Sequence, residues 1–130
     1  AILCAAVADF TPCTTADKKI KKQPGQDGMV VELKTTTDIA ATLGASKQAH
    51  QRLVGFALET HDEQANALRK LQSKNLDMIV LNSLQDQGAG FGVDTNKVTL
   101  LFADGTKKDL PLLLKQEVAD VIVESILQLI

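Results

Sequence analysis

Lys18, Lys19, Lys21 and Lys22 fall within five consecutive positions of "ADKKIKKQPGQ", just before a Pro24-Gly25 break, in a chain of formal net charge -2. Positive charge gathered on so short a stretch of a mildly acidic chain points to a local anion site. Lysines on a mobile loop can reach over a bound polyphosphate and neutralise the charge that develops as a phosphoanhydride breaks. A solvated basic loop that keeps the surface soluble is the competing reading, and spacing alone does not separate the two. Lys70 and Lys74 stand four residues apart, which sets like charges on one face of a helix. Such a pair costs about a few tenths of a kcal/mol on a bare helix, and an anionic ligand would reverse the sign. A solvated face whose Arg69 and Lys70 answer the helix dipole explains the same spacing.

These groups need a scaffold to bring them together. "ILCAAVA" (2 to 8) is a continuous apolar run of the kind expected from a strand buried on both faces, with Cys4 inside it. Residues 9 to 28 carry Pro12, Pro24, Gly25 and Gly28 among polar groups and read as a long loop, followed by a short strand in "MVVELK" (29 to 34). Thr35 to Asp38 supply N-cap chemistry for a helix through about Ala49, with Ile39, Ala40, Leu43 and Ala49 as its core face. Next come a buried strand at 53 to 58, a helix at 61 to 75 with acids first and bases last, and a buried strand at 77 to 82. A glycine-rich connection leads to a hairpin turning at Asp104-Gly105, and an amphipathic helix runs from about Lys115 to Ile130. Alternating strands and helices predict one structural unit with a three-layer, Rossmann-like α/β fold: a mostly parallel sheet, helices on both faces, and a C-terminal antiparallel hairpin.

In open α/β sheets the ligand crevice lies beyond the carboxyl ends of the strands. Asp9, Glu59, Thr60, Asn82 and Ser83 close the three apolar runs, so parallel strands would bring them to one rim. Polar strand ends are also what any sheet shows where it meets water. The helix start at Thr36, Thr37 and Asp38 offers free backbone amides. Asp38 would oppose a phosphate there, which favours a base or a ribose hydroxyl. The basic loop hangs from the end of the first run, above the same rim.

Several chemistries are excluded or weakened. "GAGFG" (88 to 92) joins strand to strand, unlike the strand-to-helix glycines of a dinucleotide fingerprint, and no G-x-x-x-x-G-K-[ST] segment occurs. His50 and His61 stand alone, so no metal-ligand spacing is present, although a magnesium ion riding on nucleotide phosphates needs few protein ligands. Cys4 and Cys13 are too few for a disulfide framework and read as reduced thiols. Aromatic residues make up 3% of the chain and the charge is slightly acidic, which argues against nucleic-acid binding. No apolar run reaches the roughly 20 residues of a membrane span, so a cytoplasmic protein without a membrane partner is expected.

Six blocks in order, "AAVADF", "DKKIKK", "ELKTTTDIAATLG", "VGFALET", "KNLDMIVLNSL" and "GAGFGVDTNKVTL", resemble phosphopantothenate-cysteine ligase across essentially the whole chain. More narrowly, they are similar to the ligase half of the bacterial bifunctional coenzyme A biosynthesis protein. The resemblance implies that CTP activates the carboxylate of 4'-phosphopantothenate as an acyl-cytidylate, releasing pyrophosphate, and that cysteine then gives the amide. It assigns Lys19 to the phosphates and the activated intermediate, as the catalytic residue. It assigns nucleotide contacts to Ala5, Asp9, the segment Thr37, Asp38, Ile39 and Ala40, Phe56 beneath the base, and Lys70 with Lys74. Where the family carries Asn-Pro this chain has Thr36-Thr37, which leaves contact there to the backbone. The resemblance further implies magnesium with the nucleotide, FMN only in the fused decarboxylase half, and a homodimer whose partner closes over the site. It also implies that residues 1 to 130 are the C-terminal portion of the ligase domain, lacking its first strand and helix, and weakly active or inactive alone. A non-catalytic nucleotide-binding or regulatory module is the alternative.

Overall fold

The computed structural model describes residues 1–59, 61–83 and 92–130; Thr60 and most of the glycine-rich connection, at 84–91, lie outside the described residues. The strands are β1 (Ile2–Leu3), β2 (Phe10–Pro12), β3 (Leu33–Thr35), β4 (Val54–Glu59), β5 (Met78–Ser83), β6 (Thr95–Asn96), β7 (Val98–Phe102), β8 (Lys107–Asp109) and β9 (Leu113–Leu114). The helices are α1 (Ile39–Ser46), α2 (Glu63–Ser73) and α3 (Lys115–Leu127). Where one structural unit was expected, the chain divides into two: residues 1–4 with 39–130, and residues 5–38.

The larger unit is built on a five-stranded sheet ordered β1-β4-β5-β7-β8. β1, β4 and β5 run parallel, with Ile2 opposite Val54 and Val54 opposite Met78. β7 and β8 add the expected antiparallel hairpin, whose Gly105 takes φ +88°, a conformation that favours glycine over any side chain. Side chains alternate between the faces of a strand, so each strand feeds two cores. Leu53, Ala57, Ile79, Leu81 and Leu101 pack with Ala67 and Leu71 of α2. Val54, Met78, Val80, Val98 and Leu100 pack with Val118 and Ile122 of α3 on the other face. The result is a three-layer α/β arrangement. At the start of α3 the Leu114 N–H donates to Glu117 Oε2 at 2.8 Å, satisfying one of the amides a helix N-terminus leaves open.

Three expectations are corrected. The strand anticipated over 2 to 8 is only Ile2–Leu3, because β4 pairs with those two residues and the chain then leaves the sheet; Cys4 is therefore exposed, not buried. In α1 the core face was to be Ile39, Ala40, Leu43 and Ala49, yet Gly44 is its one buried residue, Ile39 and Leu43 are exposed, and the helix ends before Ala49. α1 packs through its glycine: a Cβ at Gly44 would stand 1.8 Å from the Lys74 backbone oxygen, an approach no side chain permits. In the smaller unit the stretch anticipated as loop contains β2, and the strand expected at 29 to 34 is β3 at 33–35.

That smaller unit is an antiparallel ribbon, with Phe10 opposite Thr35 and Pro12 opposite Leu33. The Cys13 N–H donates to Glu32 O at 2.9 Å, extending the pairing beyond both strands. Between them the chain turns at Pro24-Gly25, where Gly25 has φ +78° and the Gln26 N–H returns to Gln23 O at 3.0 Å, as a type II turn requires. Among the described residues no helix is long and apolar enough to cross a membrane.

Candidate functional site

In the larger unit the parallel strands β4 and β5 end side by side, with Glu59 in register with Ser83 and Leu58 with Asn82. Alternation makes the two faces of this edge chemically different. On the α3 face β4 presents Phe56 and Leu58, and Phe56 is 41% exposed because α3 covers only the Val54 end. Asn82 shares that face, and its Oδ1 is buried with no hydrogen-bond partner among the described residues. A buried carbonyl left unsatisfied costs about 1–3 kcal/mol, so it favours any ligand that brings an N–H or O–H.

On the α2 face Glu59 ends β4 and meets Lys70, whose Nζ donates to Glu59 Oε1 at 2.6 Å. Asn66 in the first turn of α2 and Lys70 in its last turn both reach this carboxylate. Asn66 Nδ2 lies 3.5 Å from Glu59 Oε2 and donates to His61 O at 2.9 Å, while Arg69 donates to Asn66 Oδ1 at 3.1 Å. Lys74, one turn on, is the C-cap residue of α2 beside Gly44, and its N–H donates to Lys70 O at 3.1 Å. The like-charge pair read from the sequence is thus partly neutralised at Lys70. Phe56 and Lys70 are not brought together, since strand alternation puts them on opposite faces of the sheet.

Ile39 and Ala40 open α1, with Ile39 exposed and Ala40 half-buried. The remaining candidates belong to the ribbon unit. Ala5 and Asp9 lie on its exposed first limb, where Asp9 O accepts the Thr36 N–H at 2.9 Å and Thr36 Oγ1 donates to Ala8 O at 2.6 Å. These bonds hold the Thr37-Asp38 segment next to Asp9. Thr36 serves here as a structural donor, which a proline-bearing version of the segment would build differently. Lys19 and its three neighbouring lysines are exposed, and none forms an ion pair with a described residue.

Glu59 and Asn82 were legible only as polar strand ends. That Glu59 meets Lys70 depends on the rotation of α2 about its axis, for which a separation of eleven residues gives no signal. Asn66, four residues before Lys70, could have been picked out by helical spacing.

A groove of about 300 Å³ lies at the opposite, amino end of β5, lined by Leu68, Leu71, Gln72, Leu76, Phe102 and Ala103 among others. It is at the small end for a ligand pocket and has no basic side chain for a flavin phosphate, so it does not fit FMN.

The family model described as the DNA/pantothenate metabolism flavoprotein C-terminal domain matches residues 1–130. A relative described as a cysteine/cysteine sulfinic acid decarboxylase, from an unknown prokaryotic organism, is 57% identical over 130 residues, which are 100% of this chain and 36% of that protein. The coenzyme A biosynthesis bifunctional protein CoaBC of Bacillus subtilis (strain 168) is 53% identical over 122 residues, 94% of this chain and 29% of that protein. The chain therefore spans about a third of the length of these relatives. The crystal structure of the C-terminal domain of a CoaBC protein superposes with a TM-score of 0.73 at 40% identity, covering 96% of this chain and 51% of that one. With its whole length matched and its parallel strand edge set in the same fold, the chain belongs to the DNA/pantothenate metabolism flavoprotein C-terminal domain family.

Proposed function

We propose that this chain is the nucleotide-binding portion of a phosphopantothenate-cysteine ligase, acting in coenzyme A biosynthesis. The observation that carries the reading is the carboxyl edge of β4 and β5, where an uncovered aromatic ring and a buried carbonyl with no partner among the described residues share one face, and the Lys70 ammonium of α2 meets Glu59 on the other. CoaBC relatives at 40–53% identity support coenzyme A biosynthesis as the setting.

In this reading the carboxylate of 4'-phosphopantothenate attacks the α-phosphorus of CTP. The bond to the bridging oxygen breaks and pyrophosphate leaves, because a carboxylate becomes a useful electrophile only as a mixed anhydride. The amine of cysteine then adds to the acyl carbon, loses its proton and expels CMP. Phe56 carries the base and Asn82 Oδ1 accepts from an amino or hydroxyl group of the nucleoside. Ala5, Asp9, Thr37, Asp38, Ile39 and Ala40 contribute further nucleotide contacts. Lys70 and Lys74 meet the phosphates, and Lys19 neutralises the charge that grows on the phosphoanhydride oxygens. Magnesium would ride on the nucleotide phosphates, which need few protein ligands to hold it. FMN is assigned to the decarboxylase half of bifunctional proteins of this kind and not to this chain.

A homodimer is part of the proposal. Phe10, Met29, Val31, Leu33 and the 92% exposed Val30 give the ribbon unit apolar side chains that a second copy can cover. A bacterial enzyme of this kind works in the cytoplasm.

Thermal unfolding with CTP, ATP and GTP tests the nucleotide reading, since a ligand at about 100 times its Kd adds roughly 2.7 kcal/mol. Selective stabilisation by CTP that is lost in Lys19→Ala or Lys74→Ala supports the ligase site. An equal response to every triphosphate favours a non-catalytic nucleotide module. Pyrophosphate release by this chain alone is expected to be weak or absent. The decarboxylase name of the 57% identical relative supports a second reading, for which CO2 release from cysteine or cysteine sulfinic acid is the discriminating assay.

A further inference from the structure

The ion pair at the end of β4 ties a strand to a helix, and its geometry also prepares a cation. Glu59 is the last residue of its strand and its side chain is 13% exposed, whereas that of Lys70 is 42% exposed. The carboxylate is thus the fixed member, and the ammonium is the member that faces solvent. An ammonium has three N–H donors. One is committed to Glu59 Oε1 at 2.6 Å, and among the described residues no other group takes the remaining two, which are left for an incoming oxygen. Asn66, at 3.5 Å from Glu59 Oε2, stands beside the second carboxylate oxygen.

We infer that Glu59 is a positioning residue for nucleotide binding: it holds the Lys70 ammonium at the carboxyl end of β4 so that a phosphate oxygen of a nucleoside triphosphate takes the remaining donors. This rests on the CTP reading above. A free lysine would surrender the rotamer freedom of a four-carbon side chain on binding phosphate, and the pinned one has already lost it. The negative charge of Glu59 does not expel the ligand, because the ammonium lies between the two anions and is shared by both. Replacing the carboxylate with an amide leaves an acceptor of similar shape but removes the charge-assisted bond that fixes the ammonium.

The test is a double-mutant cycle read by calorimetric titration of this chain with CTP, using wild type, Glu59→Gln, Lys70→Ala and the double variant. Glu59→Gln is expected to weaken CTP binding about fivefold when Lys70 is present and by less than about twofold when Lys70 is alanine. Glu59→Asp keeps the charge on a shorter stem and is expected to fall between wild type and Glu59→Gln. Unchanged or tighter CTP binding by Glu59→Gln, or an equal loss in both backgrounds, overturns the positioning role while leaving the nucleotide site intact. Failure of the wild type to bind CTP overturns the site and the positioning role together. Unfolding midpoints recorded alongside identify a variant that loses binding by misfolding, in which case the Glu59→Asp result decides.

Discussion

Adding one methyl group at Gly44 tests how α1 is seated and, through it, the proposed nucleotide site. A Cβ there would lie 1.8 Å from the Lys74 backbone oxygen and 2.8 Å from its carbonyl carbon, where ordinary contact begins at 3.4 Å. Relief of the clash requires α1 and the C-cap of α2 to separate by about 1.6 Å, the shortfall between those distances. In an exposed helix Gly→Ala would stabilise by roughly 1 kcal/mol through helix propensity. Overpacking of this kind costs about 1–3 kcal/mol, and more when the neighbour is backbone that cannot change rotamer. Because the neighbour here is backbone, the cost lies at the upper end of that range, and after the propensity gain is subtracted the net expectation for Gly44→Ala is a loss of about 2 kcal/mol, or a fall in Tm of roughly 8 °C at this chain length. Ile39 and Leu43 are exposed, so little apolar burial resists a tilt of α1, and the displacement should stay local. Asn75 Nδ2, which donates to Gly44 O at 2.9 Å, would lose that bond. Because α1 begins at Ile39 and Ala40 and the clash bears on Lys74, CTP-dependent stabilisation should fall in the same variant. Scanning calorimetry with and without CTP reads both effects. A Tm raised by several degrees, as propensity alone demands, would refute the packing account of Gly44.

Three further outcomes are expected. Asp77 Oδ2 accepts both Lys47 Nζ at 2.8 Å and the Leu53 N–H at 2.7 Å, with the two side chains only 14% and 20% exposed, so Asp77→Ala should cost about 2–4 kcal/mol. Thermal unfolding checks this against Lys107→Ala, which breaks an exposed 3.1 Å pair and should move Tm by no more than about 2 °C; similar shifts would contradict the assignment. Asp104 is held below its ordinary value of 3.8, chiefly by the Thr106 hydroxyl, and Asp109 likewise, chiefly by the Thr99 hydroxyl. Depressed folded-state carboxylates contribute stability that is complete above their unfolded values and is lost as pH falls through the folded ones. Tm should therefore decline below about pH 4, less steeply in the double variant Thr99→Val, Thr106→Val, and an unaltered slope there would contradict those causes. Cys4 and Cys13 are both exposed, so a thiol reagent should titrate two groups in the native protein without denaturant; a single reactive thiol would show that one is covered.

Much of the larger unit was readable from local patterning. β4, α2 and β5 fall within a residue or two of their apolar runs, because each buries enough of its own side chains for patterning to decide, and the hairpin through Gly105 was marked by its turn residues although β8 is exposed throughout. The run at 2 to 8 misled for the converse reason. Its composition suits a buried strand, but only two residues find a partner strand. The seat of α1 was also hidden, since a glycine that allows close approach adds nothing to a hydrophobic pattern.

For the site, residue chemistry named the candidates and tertiary structure sorted them. Polar strand ends, the spacing of Lys70 and Lys74 and the charge of residues 18 to 22 are properties of the chain, fixed by residue type and helical or strand period. That Lys70 turns to Glu59, that Phe56 and Asn82 share a face while Lys70 lies on the other, and that Asn82 Oδ1 is buried without a partner among the described residues are products of strand register and helix rotation. Register and rotation are set by how the two cores pack against the sheet, a balance of contacts far apart in the chain, and no local stretch of residues contains it.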